Sequence, residues 1–224
     1  MITPRLQMIL DNVVSDSVCD IGTDHAYIPI ALAKRGVKVI ATDINSGPLS
    51  AAKRNVRKNG VTVTLSQGSG LSPIQKGEAK EIIIAGMGGE LIEKIISADI
   101  EKARSTRLLL QPMSCQAELR KFLHTHGFII EKEDLAVEGH KVYNLIIAKS
   151  GASSVPPCEI DLHLPPSLYS HPLFPKLLSK KEREFSKQFN GLSQGKNSDF
   201  AELERLRLLL SDIKNIKERT GFVL

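Results

Sequence analysis

Residues 20–30 read DIGTDHAYIPI. They follow the run VVSDSVC (13–19) and lead into an apolar stretch of helical period. A strand, a turn and a helix in that order open a parallel α/β sheet. The turn holds one glycine, Gly22. Beyond it stand Asp24, His25 and Ala26, where a dinucleotide-binding loop would carry more glycines.

The alternation continues on both sides of this turn. Pro4 suits the first position of a helix that continues through Leu6, Ile9, Leu10 and Val13. Strands are expected at 18–21, 37–43, 61–65, 81–85 and 108–111. Helices are expected at 27–35, 48–59, after the GMGG of 86–89, and at 116–126, with Gly36, Gly60 and Gly127 closing three of them. Strands at 128–137 and 142–148, with no helix between, predict an antiparallel addition at one edge. The expected fold class is α/β, a Rossmann-like sheet with helices on both faces, closer to the methyltransferase type than to a dehydrogenase. This domain is expected over 1–150.

The chain then changes character. Residues 151–172 are rich in Ser and Pro, without a period, and read as a linker. Over 173–224, Leu178, Phe185 and Leu192 are seven apart, and Leu203, Leu206, Leu210 and Ile213 step by three and four. That spacing predicts an antiparallel, coiled-coil-like helical hairpin with a turn over 190–199. Asp199 and Glu202 read as a capping box.

Composition narrows the function. Three cysteines without a CxxC pair give neither a zinc site nor a disulfide framework, so no metal and a cytoplasmic setting are expected. Residues 1–12 lack a signal-peptide core, and no apolar run is long enough to span a membrane. Net charge is +5, which suits a polyanionic partner. From residue 156 onward there are 11 Lys and Arg against 9 Asp and Glu, so any basic face is expected to be assembled by folding rather than held in one segment. With aromatics at 4% and no Trp, a base-stacking sheet is not expected.

Ligands of open α/β sheets bind at the carboxyl ends of the strands. Three such ends are polar or glycine-rich here: the loop after Asp20, Asp43 at the end of VKVIATD, and GMGG. An acid at the end of the second strand accepts both ribose hydroxyls of an adenosine. Both NAD and S-adenosylmethionine meet that rule. Acids at 20 and 24 would repel a pyrophosphate but attract a sulfonium and an ammonium group, which favours S-adenosylmethionine. Asp24 and His25 could also simply cap the following helix. His124 and His126 read as solvated helix-end residues, and Cys115 as a quiet thiol.

DIGTDHAYIPI, ATDINSGPLSAAKRNV, IIIAGMGGELI, LLLQPM and the K-x-Y of KVYNLIIA together resemble the bacterial tRNA (adenine-22-N1)-methyltransferases across 1–150, and HPLFPKLL resembles the start of that family's second domain. The resemblance implies a class I methyltransferase domain, S-adenosylmethionine as cofactor and tRNA as partner, with a monomer expected. The cofactor would be held by Asp20, Gly22, Asp24 and His25, by Asp43 and Ile44, by Gly68, Ser69 and Gly70, and by Ala85, Gly86 and Met87. Asp24 and His25 would also be catalytic. The substrate would meet Gly88, Gly89, Gln111, Pro112 and Met113, and its phosphates Lys176, Lys180, Lys181 and Arg183. One departure stands out: Ser69 takes the place of the family's acid toward the cofactor's adenine amine, so a weaker, uncharged hydrogen bond is expected there. Without the resemblance, a methyltransferase of another substrate and a non-catalytic cofactor-binding scaffold stay open.

Overall fold

The computed structural model describes residues 2–152, 156–195 and 199–222. It divides into two compact units, Met1–Pro156 and Pro157–Leu224. The first unit runs α1 (Pro4–Asp11), β1 (Ser17–Ile21), α2 (Tyr27–Lys34), β2 (Lys38–Asp43), α3 (Ser46–Lys58) and β3 (Thr64–Gln67). It continues with β4 (Glu81–Met87), α4 (Gly89–Ala98), α5 (Ile100–Arg104), β5 (Arg107–Pro112), α6 (Gln116–Thr125), β6 (Phe128–Glu138) and β7 (Lys141–Ser150).

The seven strands lie in the order β3-β2-β1-β4-β5-β7-β6. Strands β1 to β5 are parallel, while β7 is antiparallel to β5 and β6 antiparallel to β7. Order reverses between β1 and β4, so their carboxyl ends diverge and open a crevice.

The run EIII of β4 is buried on both faces because alternate residues serve different layers. Ile82 and Ile84 join the cluster with Ile92 and Ile96 of α4 and with Leu119 and Leu123 of α6. Ile83 joins the one with Ile9 and Leu10 of α1 and Leu32 of α2. This continuous apolar run marks a central parallel strand.

Two departures from the sequence reading have physical causes. The third strand begins at Thr64, not 61, because Val61 and Val63 pack beside Ala52 and Val56 of α3 before the chain reaches the edge of β2. The antiparallel pair hides a buried ion pair: Arg120 of α6 reaches Glu133 of β6, with Nη2 to Oε2 at 2.6 Å and Nε 3.1 Å from both oxygens. Their side chains are 3% and 1% exposed.

In the second unit, α7 (Glu159–His163), a short 3-10 turn (Pro166–Leu168), α8 (Phe174–Ser193) and α9 (Phe200–Thr220) follow. The linker expected over 151–172 is therefore folded in its second half, where Ile160, Leu164 and Leu168 are buried. Helices α8 and α9 pack antiparallel, with Lys217 late in α9 holding Glu182 of α8 at 2.7 Å. Their seam uses Leu177, Leu178 and Phe185 against Leu206, Leu209, Ile213 and Ile216. Leu203 and Leu210 are half-buried beside it, about 60° round the helix from Leu206 and Ile213. Asp199 caps α9 by accepting from the N–H of Ala201 and Glu202, while Glu202 turns to Arg205. Part of the turn expected over 190–199, residues 196–198, lies outside the described residues.

Removing one member of the buried Arg120–Glu133 pair strands the other charge, so Arg120→Met is expected to lose about 3–5 kcal/mol in urea unfolding. Arg120→Met combined with Glu133→Leu should regain most of that loss. A double variant no more stable than the single one would show that the pair is not what the site requires.

Candidate functional site

The turn after β1 is built backbone first. The N–H groups of Gly22 and Thr23 both donate to the Thr42 carbonyl at 2.8 Å, stitching the loop to β2. Gly22 has φ +77°, and a Cβ there would fall 2.2 Å from Met87 Cε. Glycine is thus favoured by conformation, while the Met87 methyl, the end of a flexible side chain, would only have to move aside. Ala26 takes the left-handed conformation at the start of α2, φ 56°, and no side chain caps that helix. Asp24 and His25 are therefore not its caps. They stand exposed at the mouth, with Asp24 Oδ2 3.4 Å from His25 Nε2. The His25 carbonyl accepts from Asn55 Nδ2 of α3 at 3.0 Å, which ties the loop to that helix.

A cleft of about 300 Å³ opens at the β1/β4 crevice. Asp20, Gly22, Thr23, Asp24, His25, Ala26 and Tyr27 line it from the first loop, Ala85 and Gly86 from β4, and Arg5 and Leu6 from α1. The Asp20 side chain is buried. Burial pushes its carboxyl up to about 7, with the Thr23 hydroxyl opposing the rise and the charge of Asp43 adding to it.

Arg5 was not among the residues expected from sequence. Its Nη1 donates to Gln111 Oε1 at 2.8 Å, its backbone N–H donates to Glu138 Oε1 at 2.8 Å, and its guanidinium lies 5.7 Å from the centre of the Tyr143 ring. Its partners come from 106 to 138 residues further along the chain, so local pattern carries no sign of them.

The other expected residues divide by strand end. Asp43, Ile44, Gly68, Ser69 and Gly70 lie together at the ends of β2 and β3, beside the cleft rather than in its lining. Gly68 N–H donates to the Asp43 carbonyl at 3.0 Å, and Gln67 Nε2 donates to the Ile44 carbonyl at 3.1 Å. One Asp43 carboxylate oxygen accepts from the Asn45 N–H at 2.8 Å. Ser69 and Ile44 are exposed.

At the next ends, Met87 touches Gly22, and its carbonyl accepts from the N–H of Met113. Met113 is exposed and Gly88 half-buried. Three residues assigned to substrate contact are instead buried. A Cβ at Gly89 would meet the Cys115 carbonyl at 2.4 Å, so this glycine serves close packing of α4 on the loop before α6. Pro112 is buried at the end of β5. Gln111 is buried too. Its Oε1 accepts from Arg5 and from the Gly86 N–H, and its Nε2 donates to the Pro112 carbonyl, so it positions Arg5. Lys176, Lys180, Lys181 and Arg183 all belong to α8 of the second unit. There Lys180 and Lys181 share Glu184, at 3.8 and 2.8 Å.

The donor set suits a small organic cation. A buried carboxyl that stays half-protonated near neutrality gains most from a positive ligand beside it. No phosphate-binding run of glycine N–H groups is present in the first loop. Among the described residues no group of three or more His, Cys, Asp or Glu side chains could hold a metal ion, and no helix is long and apolar enough to cross a membrane.

Residues 2–146 match the family model described as a methyltransferase domain. The tRNA (adenine(22)-N(1))-methyltransferase of Bacillus subtilis is 37% identical over 156 residues, which cover 67% of this chain and 66% of that protein. A putative tRNA methyltransferase of Mycoplasma genitalium is 30% identical over 58% of this chain and 60% of its own length. The chain thus aligns with slightly less than two thirds of these curated relatives. In three dimensions it matches the crystal structure of the B. subtilis m1A22 tRNA methyltransferase with a TM-score of 0.85 at 29% identity, over 96% of this chain and 98% of that one. It matches the Streptococcus pneumoniae protein Sp1610, solved in complex with S-adenosyl-L-methionine, with a TM-score of 0.83 at 28% identity, over 96% and 99%.

Folded Asp20 keeps its proton up to about pH 7, whereas its ordinary value is 3.8. Between those values the folded state binds more protons than the unfolded one, so Asp20 makes stability fall as pH rises through that window. Urea unfolding of the ligand-free protein at several pH values between them is expected to show this fall. Asp20→Asn should flatten it, and an unchanged slope in that variant would place the titration elsewhere.

Proposed function

This chain belongs to the methyltransferase-domain family, and from that premise we propose that it transfers a methyl group from S-adenosylmethionine to N1 of adenine 22 in tRNA. The observation that carries this reading is the acid-lined turn of residues 20–25 at the β1/β4 crevice, which offers carboxylates where a dinucleotide would need phosphate-binding amides. The activity named for the B. subtilis relative supports the substrate, and the bound ligand of Sp1610 supports the cofactor.

Asp20, Gly22, Asp43 and the 68–70 loop would hold the cofactor, with Ala85, Gly86 and Met87 across the crevice. When bound, S-adenosylmethionine supplies a methyl group on a positively charged sulfur. The chain's own work is mainly alignment, since adenine N1 carries a free lone pair at neutral pH and needs no prior deprotonation. Asp24 and His25 stand at the mouth of the cleft, where a carboxylate or neutral imidazole steadies the charge of a 1-methyladenine or takes a proton from its amine. Arg5, fixed by Gln111, supplies a donor on the opposite wall. Adenine 22 lies in the stacked core of tRNA and has to be turned out of it to reach this cleft. The helical unit would add phosphate contacts through the exposed Lys176 and Arg183 and through Lys180 and Lys181. The carboxylate of Glu184 offsets part of the charge of the last two.

Incubation with methyl-labelled S-adenosylmethionine and unmodified tRNA, then digestion and mass spectrometry, is expected to yield 1-methyladenosine that disappears when A22 is replaced. Transfer to another nucleoside, or none with the cofactor bound, would remove the substrate from this reading. Asp24→Ala should keep cofactor affinity within about threefold while kcat falls about 100-fold or more. Lost cofactor binding with normal turnover at saturation would make Asp24 a binding residue only.

A further inference from the structure

The net charge of +5 hides a strong local asymmetry. Residues 25–77 hold eight Lys and Arg, and their single acid is Asp43. The expectation that no one segment concentrates the charge is thereby corrected: comparing the chain on either side of residue 156 averages this stretch away.

Folding concentrates the charge further. Helix α3, SGPLSAAKRNVRK, contains Lys53, Arg54, Arg57 and Lys58 and no acid. Ala52 and Val56 are its buried residues. With about 100° per residue, Arg54, Arg57 and Lys58 fall on the arc facing away from them, and Lys53 on its flank. All four cations are exposed. Among the described residues none of them has a carboxylate within ion-pair distance, whereas Arg35, Lys80, Lys102, Arg104, Arg107 and Lys149 elsewhere in the same unit each do. In the helical unit Lys180, Lys181, Arg205, Arg207 and Lys217 are likewise paired with acids. Four like charges on two turns repel one another; the carbonyl end of the helix favours Arg57 and Lys58 in its last turn, but among the described residues no carboxylate answers any of the four. An external polyanion does.

The position of α3 matters as much as its charge. Asn55, between Arg54 and Val56, donates to the carbonyl of His25. The helix is therefore anchored to the loop that carries Asp24 and His25.

We infer that Lys53, Arg54, Arg57 and Lys58 form a phosphate-binding face that holds the tRNA backbone next to the catalytic loop. This rests on the reading of the chain as a tRNA methyltransferase. The face binds phosphates without reading bases, so it sets affinity and register rather than the choice of adenine. Because α3 touches the loop through Asn55, engaging the backbone there places the target nucleotide over the cleft.

The test replaces all four residues with Gln in the full chain and measures tRNA binding against salt, cofactor affinity, and methyl transfer over a range of tRNA concentrations. A matched variant with the exposed Lys38, Lys94, Lys121 and Lys141 of the first unit changed to Gln controls for net charge. For the α3 variant, KM for tRNA is expected to rise about tenfold or more, and the slope of log binding constant against log salt to become shallower by about one for each phosphate no longer neutralised. S-adenosylmethionine affinity and kcat at saturating tRNA should be unchanged, and unchanged cofactor affinity also certifies the fold. The control variant should shift KM and slope by much less. If the α3 variant matches the parent in KM and slope while the parent methylates tRNA, or if both variants lose affinity equally, the inference fails and the function stands. If the parent neither binds nor methylates tRNA, the function fails and the inference with it.

Discussion

A carboxyl group held out of water at the end of β1 sets the terms for the rest of this site. Asp20 is buried because β1 is a central strand, flanked by β2 and β4 and covered by helices on both faces. Ionising it there is costly, and Asp43 at the end of β2 adds to the cost. The fold keeps this unfavourable group at the one place where strand order reverses and a crevice must open. Such a group at such a place is matched by a ligand that brings positive charge. Neighbouring features follow from giving that ligand access. Gly22 lets the chain turn beneath Met87, Thr42 holds the loop by two amides, and Ala26 accepts a left-handed conformation so that α2 can begin at Tyr27.

The sheet was readable because its strands are apolar on both faces. Runs such as EIII and LLL between helical stretches have few other solutions. The antiparallel ending was readable from two strands without a helix between them. What local pattern could not show were features made by residues far apart in sequence. Arg5 enters the cleft only because α1 packs on the sheet opposite Gln111 and Tyr143. Gln111 and Gly89 sit where strand-end logic expects substrate contacts, yet the structure turns one toward Arg5 and presses the other against Cys115. Their residue types fit either role, so only burial separates them. The folded part of 157–172 is hidden in the sequence by its prolines: Ile160, Leu164 and Leu168 step by four as on a helix face, but Pro156, Pro157, Pro165 and Pro166 break the stretch into pieces too short to read as one element.

Charge tells a similar story at two scales. In the cleft, acids gather where a cationic ligand suits them. On α3, bases gather without acids, where a polyanion suits them. The second unit pairs several of its cations with acids along α8 and α9, so less of its positive charge is left for an external partner. Each paired surface charge contributes little to folding stability. Its effect is to leave the unpaired arc of α3 as the most concentrated source of attraction for phosphate in the first unit.

The buried Asp20 carboxyl is answered by the positive charge of the cofactor, so binding has to shift its titration. Isothermal titration of S-adenosylmethionine into the protein near pH 7, in two buffers of different ionisation enthalpy, counts the protons released on binding. Binding that draws Asp20 into its charged form should release a substantial fraction of one proton, growing as pH is lowered through the region just below 7, and Asp20→Asn should release none from this source. The same proton count in parent and variant, with binding intact in both, would show that the cofactor's charge does not act on Asp20.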